Sequence, residues 1–219
     1  MLGDSTDRSV SQMNSKVIPS MSRNKAAVVS DFRRGQILDA ARHAFARHGL
    51  AGTTVSQIAR GAKVAKGTVY LYFRSKDEIL RVLLDDAVGE LYRETVPLLA
   101  EPATCEETLS RFLDATLSFF ERHRDFLEQC HFELTPEMRT KTVHAIGEVF
   151  AAQIRAWRGV LRQSRHGRDA VVTPGRAAAG IVSFAYGLGQ QRMKGWVGGA
   201  REDTVAWGAA LLLKGLRVS

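Results

Sequence analysis

The 219-residue chain has little cysteine (two residues) and little proline (five), and none of its apolar runs is long. Two cysteines cannot build a disulfide framework. Neither Cys105 nor Cys130 lies in a C-x-x-C or other metal-ligand spacing, so both are expected to be reduced thiols. No stretch approaches the roughly 18 uninterrupted apolar residues that a membrane span needs. The N-terminal residues lack the apolar core of a signal peptide and are polar and serine-rich instead. These absences predict a soluble, cytoplasmic chain with no membrane partner. Catalytic signatures are missing as well: there is no G-x-x-x-x-G-K-[ST], no G-x-S-x-G and no H-E-x-x-H, and Gly187-Leu188-Gly189 lacks a third glycine. Neither an enzyme nor a cofactor is expected. His123, His131 and His144, with Glu128 and Glu133, share no close ligand spacing on one helical face, so no metal is expected either.

What the chain does have is charge concentrated in one place. Its 31 Lys and Arg against 23 Asp and Glu give a net +8, on an average composition of 45% apolar and 25% charged residues. Residues 31–76 hold nine basic side chains against two acidic ones, a net +7, whereas residues 77–219 hold 18 against 19. Residues 1–30 add +2. A basic module on a near-neutral remainder is the footprint of a polyanion binder, which a membrane surface would satisfy as well as nucleic acid.

Residues 1–30, with seven interruptions from Ser5 to Ser22 and no sustained apolar period, read as a mobile basic tail in which Met13 and Met21 are candidate alternative starts. From Asp31 the period becomes helical: Ile37, Leu38, Ala41, Ala44 and Phe45 recur at three- and four-residue spacing until His48-Gly49-Leu50 supplies a stop. Thr54 and Gln57 predict a capping box opening a short helix that ends near Ala62. A second short helix over Ala65 to Phe73 buries Val69 and Phe73 and turns Lys66, Thr68, Tyr70 and Tyr72 outward. Ser75 with Glu78 predicts another capping box, at the head of a longer helix that stops before Pro97. Beyond it, helices are expected at about 105–122, 124–133, 136–165, 174–198 and 203–216, with no strand-like alternation.

Two short helices joined by a tight turn, the second exposing Lys, Thr and Tyr, form a helix-turn-helix arrangement. The residues themselves are more specific. Ile37-Leu38-Asp39-Ala40-Ala41, Phe45, His48-Gly49, Thr53-Thr54-Val55, Ile58-Ala59, Lys66-Gly67-Thr68-Val69-Tyr70-Leu71-Tyr72-Phe73, Lys76 and Glu78-Ile79-Leu80 closely resemble the DNA-binding domain of TetR-type transcription regulators, over about residues 31–91. The resemblance implies that Thr54, Tyr70, Tyr72, Lys76 and the amide end of the Ser75 helix contact phosphates of double-stranded DNA. It also implies that Lys66, Gly67 and Thr68 present the base-reading surface. Two positions depart from the family pattern: Lys63 stands where a Gly commonly makes the turn, and Ala65 where a Ser or Thr commonly caps the second helix. A looser or differently shaped turn is the expected consequence, which bears on the docking angle more than on the function.

The resemblance fades after about residue 91, leaving residues 92–219 as an effector-binding and dimerisation domain by implication. Aromatics from Phe112 to Trp207 supply a core for a helical bundle, and Phe126, His131, Trp157 and Tyr186 are the candidate residues for a small-molecule effector site. The small-residue run Ala177 to Gly189 and the leucines of the last helix suit either a homodimer interface or burial within the domain. Arg155, Arg158, Arg162 and Arg165 form a basic stripe that reads as a solvated face, with an anionic partner as the sharper alternative. The fold class is thus all-α, an N-terminal three-helix helix-turn-helix domain joined to a C-terminal bundle. The expected function is a dimeric repressor of a palindromic operator, released by an apolar or amphipathic effector. The rival is a nucleoid-associated or cell-division DNA-binding factor controlled by a protein partner; a closed apolar cavity in the second domain would favour the first, and a filled core with an exposed apolar patch the second.

Overall fold

A computed structural model describes residues 21–164 and 172–216, the side chains of 21–26, 131–133 and 216 excepted. Among the described residues the regular structure is helical throughout, with no strand. Helix α1 (Met21–Gly52) is followed by α2 (Val55–Gly61), α3 (Lys66–Tyr72), α4 (Lys76–Thr95), a 3₁₀ turn (Pro97–Ala100), α5 (Cys105–Arg122), α6 (Arg124–Glu133), α7 (Pro136–Gln163), α8 (Pro174–Met193) and α9 (Arg201–Leu216).

Helix α1 begins at Met21 and not at Asp31, so residues 21–30, expected as tail, are helical; Val28, Val29 and Phe32 stand exposed along this part. The remainder of the expected tail, and Arg165 of the basic stripe, lie outside the described residues. Gly49 breaks α1 with φ 71°, a conformation glycine adopts freely. The Thr53 hydroxyl then closes the end by donating to the carbonyls of Ala44 (3.0 Å) and Gly49 (2.7 Å). Helix α8 stops at Met193, short of the expected 198, where Gly195 (φ 73°) and Gly199 (φ 87°) turn the chain toward α9.

The apolar side chains gather into two cores. The front core joins Ile37, Ala41 and Phe45 of α1 with Ile58, Val69, Phe73 and the first half of α4, and it is completed from far downstream by Phe126 and Cys130 of α6. The rear core is built from α5, α7, α8 and α9 around Phe112, Leu113, Trp157 and Ile181. Helix α4 runs through both, with Ile79 to Leu84 in front and Ala87 and Leu91 behind. Gly189 allows the tight α5–α8 approach, since a Cβ there would meet the Phe120 ring at 2.3 Å. Ala177, Ala178, Ala185 and Gly189 of the small-residue run are therefore inward-facing. Gly180 and Ser183 are exposed and Gly187 is half-buried; Trp207, Ala210 and Leu211 of α9 are exposed too, with Trp207 edge-on to Phe184 of α8 at 6.2 Å.

Candidate nucleic-acid interface and the cavity behind it

The front unit presents a short exposed helix, α3, on a well-braced mount. Thr54 caps α2 in a complete capping box: its hydroxyl accepts from Gln57 N–H and its own N–H donates to the Gln57 side chain at 2.7 Å. The turn between α2 and α3 is a Schellman closure, with Val64 N–H donating to Ala59 O and Lys63 N–H to Arg60 O. Lys63 occupies its left-handed position at φ 54°, the one non-glycine with positive φ among the described residues. The expected loosening is not observed. The hydrogen bonds of a glycine turn are all made, and Lys63 bears the steric cost, about 1 kcal/mol. Ala65 stands at the N-cap of α3 without a side-chain cap, leaving the first amides of that helix open to another acceptor.

On α3, Lys66 and Gly67 are exposed, Thr68 is half-buried, and Tyr70 is 48% exposed with the Lys66 ammonium 5.9 Å from its ring centre. Leu71, at 82% exposure, extends the same outward surface. Val69 and Phe73 are buried as the spacing requires, and Arg34 lies over the Phe73 ring at 5.2 Å. Tyr72 is half-buried against the front core. The Lys76 ammonium donates to the Leu50 carbonyl, tying the start of α4 to the end of α1, so this cation is held by the fold before any ligand arrives. Ser75 caps α4 by accepting from Glu78 N–H, but only half of the expected box forms: the Glu78 carboxylate accepts from Arg74 N–H instead.

Behind this unit, a cavity of about 410 Å³ opens between α4, α5, α6, α7 and α8, within the range of small-ligand sites. Its walls are apolar: Val88 and Leu91 from α4, Phe119 and Phe120 from α5, Ile146 and Phe150 from α7, Met193 from α8. Among the described residues Arg139 and Lys194 are the basic side chains at its lining, both exposed, with Lys194 lying 4.9 Å from the ring centre of the exposed Trp196. Tyr186 borders the cavity, packed against Phe150 and Phe120. Its hydroxyl accepts from Gln153 Nε2 at 3.2 Å, and the same amide donates to Thr95 at 2.7 Å. Burial raises the Tyr186 phenol above its ordinary pKa, offset only in part by the Gln153 hydrogen bond, so it stays protonated.

Of the three candidate effector residues whose side chains are described, Tyr186 borders this cavity and Trp157 and Phe126 do not. Trp157 is fully buried in the rear core, edge-on to Phe112 at 5.5 Å, because α7 turns its Trp157 face toward α5. Phe126 is buried in the front core beneath the Arg42 guanidinium, because α6 packs against α1. The side chain of His131 lies outside the described residues. Arg155, Arg158 and Arg162 of the basic stripe are solvent-exposed. Trp196, expected among the core aromatics, is 74% exposed. The overlooked sequence signal was the stripe Arg139, Val143, Ile146, Phe150, which recurs at helical spacing and puts a cation at the end of an apolar wall.

Residues 37–83 match the profile of the bacterial regulatory proteins of the tetR family. The fatty acid metabolism regulator protein of Bacillus subtilis is 30% identical over 131 residues, covering 58% of this chain and 66% of that protein. The HTH-type transcriptional repressor KstR2 of Mycobacterium tuberculosis is 39% identical over 95 residues, 42% of this chain and 46% of that one. The chain thus spans between about half and two thirds of the length of these curated relatives. In fold the likeness extends further: the structure of FadR from Bacillus subtilis in complex with stearoyl-CoA superposes at a TM-score of 0.62, covering 82% of this chain and 97% of that one at 23% identity. With the α2–α3 unit inside the matched segment, and the HTH-type transcriptional regulator TtgW of Pseudomonas putida 35% identical over 98 residues, 45% of this chain and 72% of that one, the chain belongs to the TetR family of bacterial regulatory proteins.

Proposed function

We propose that the chain is a DNA-binding repressor that docks α3 in the major groove of a palindromic operator as a homodimer. An amphipathic small molecule with an anionic head, seated in the cavity, would release it. The observation that carries this reading is the exposed α3 surface formed by Lys66, Gly67 and Tyr70, within the segment that holds a net +7. In this reading Lys66, Gly67 and Thr68 face base edges. Thr54, Tyr70, Tyr72, Lys76 and the amide end of α4 behind Ser75 face phosphates, because hydroxyls, ammonium groups and helix N-termini all favour them. The outward strip of Gly180, Ser183, Gly187, Trp207 and Leu211 supports a paired-helix dimer, whose two-fold axis would set two α3 helices on successive half-sites.

The cavity favours a small-molecule effector over the protein-partner alternative. Its walls suit an acyl or polycyclic body, and Arg139 and Lys194 suit a carboxylate, phosphate or sulfonate head. The FadR structure holding stearoyl-CoA supports the same chemistry. Selection from a random-sequence duplex pool tests the DNA half and should return a palindrome. Lys66→Ala should then relax base preference, whereas Tyr70→Phe should weaken all sequences alike. Equal loss of specificity in both would reject the assignment of the reading surface. Native mass spectrometry with stearoyl-CoA tests the cavity half.

A further inference from the structure

The two cores meet at a directional contact that neither the DNA face nor the cavity requires. His123 sits between α5 and α6, ending one helix and preceding the other. It is buried, and its Nδ1 lies 2.7 Å from Arg42 Nη1 of α1. A guanidinium can only donate, so Nδ1 must accept, and the ring proton is left on Nε2. That nitrogen lies 3.1 Å from Glu90 Oε1 of α4, near but off the hydrogen-bond axis. Glu90 is partly buried, which raises its pKa, yet the nearby His123 ring and the Arg122 hydrogen bond outweigh this and hold the carboxyl below its ordinary range. Arg122 bridges Glu90 (3.0 Å) and Glu94 (2.6 Å). One imidazole is thus seated between α1, α4 and the α5–α6 corner.

The other face of that imidazole leads to the cavity. The Phe119 ring lies 4.6 Å from the His123 ring, and Phe119 is a cavity wall. On the opposite side, Arg42 shares α1 with Ala41 and Phe45 of the front core and also covers Phe126. We propose that Arg42 and His123 are positioning residues that carry cavity occupancy to the DNA-reading unit, through the contact sequence Phe119, His123, Arg42, α1. This rests on the repressor reading above and adds the route of its regulation. A body in the cavity displaces Phe119; the imidazole packed against it at a 39° tilt moves with it; and a charged hydrogen bond that depends on alignment weakens, freeing α1 to rotate relative to α4. Close packing makes such a shift discrete instead of gradual.

The test measures affinity for the selected duplex by fluorescence anisotropy in full-length wild type, His123→Gln, His123→Asn and Arg42→Met. Each is titrated with the cavity empty, with saturating stearoyl-CoA, and with Ile146→Trp added, whose indole fills the cavity without a ligand. Filling should weaken wild-type binding by roughly 5- to 150-fold, the usual range of coupling between two sites. In His123→Gln, which has no acceptor at the Nδ1 position, most of that factor should vanish while the empty form still binds DNA and stearoyl-CoA as wild type does. His123→Asn, whose Oδ1 takes the place of Nδ1, should restore it, a rescue that a simple packing role would not show. Arg42→Met should behave like His123→Gln and carries the test should His123→Gln fail to fold in a thermal melt. An undiminished factor in His123→Gln and Arg42→Met overturns the route, as does equal loss in the Asn and Gln variants. A wild type indifferent to both stearoyl-CoA and Ile146→Trp instead rejects the cavity as a regulatory site, so failure of the underlying reading is told apart from failure of the route.

Discussion

The front unit and the rear bundle solve the same problem, burying the apolar faces of helices, by different means. In front, the reading helices α2 and α3 are seven residues each and are held at their ends: Thr54 by Gln57, Lys63 and Val64 by the carbonyls behind them, and the start of α4 by the Lys76 bond across to Leu50. Behind, the helices run to 28 residues and their ends matter less than the distances between them, which are set by glycine and aromatic neighbours such as Gly189 and Phe120. The front spends its stability on a fixed external surface. The rear leaves an internal volume unfilled.

The salt dependence of DNA binding should show the largest effect, because it exploits the confinement of charge to the front. If the two heads of a dimer together neutralise about six to ten phosphates, the binding constant should fall about 10³- to 10⁵-fold between roughly 50 and 200 mM salt, a log–log slope near 0.9 per phosphate. A flat response would mean that the net +7 of residues 31–76 does not face DNA. Next in size is Gly189→Ala. Its Cβ would meet Phe120 at 2.3 Å, so overpacking should cost about 1–3 kcal/mol and shift a cavity wall. Calorimetric melting checks the first consequence and titration with stearoyl-CoA the second; an unmoved melt would show that the rear bundle yields more freely than its packing implies.

Smaller gains should come from regularising the front. Lys63→Gly relieves the positive φ and Ala65→Ser supplies the missing cap, each worth about 1 kcal/mol by denaturant unfolding. Loss of stability in either variant would show that the turn is shaped by something other than local backbone preference. The smallest effect is expected from deleting residues 1–20, where Asp4 and Asp7 cancel Arg8 and Lys16. DNA affinity by anisotropy should not change measurably, and a clear loss would assign that segment a contact of its own.

What could be read from the sequence follows the same division. Thr54 with Gln57, the Gly49 stop and the buried pair Val69 and Phe73 are short-range signals, and all three appear in the structure where their spacing places them. Helices α5 and α6 match their expected limits because Thr104, Pro136 and similar end signals are equally local. The cavity was not legible. Trp157 and Phe126 were as plausible as linings as Phe119 and Phe150, since periodicity shows which face of a helix is apolar but not which neighbour that face meets. The corner that brings His123 onto Arg42 joins residues 81 apart, a distance at which no local pattern speaks.

Phe126 and Cys130 belong to the front core although their helix lies beyond the apparent division of the chain near residue 91. The consequence is one of inheritance and modularity. A fragment cut at that division would carry the whole reading surface but expose the flank of α1 that α6 covers, and it should fold poorly by itself. A graft that exchanges one sensing bundle for another would have to retain α6, as an adaptor, with the head. A lineage free to vary its rear bundle for new chemical signals is not free to vary this helix, because α6 is read by the body as wall and by the head as core.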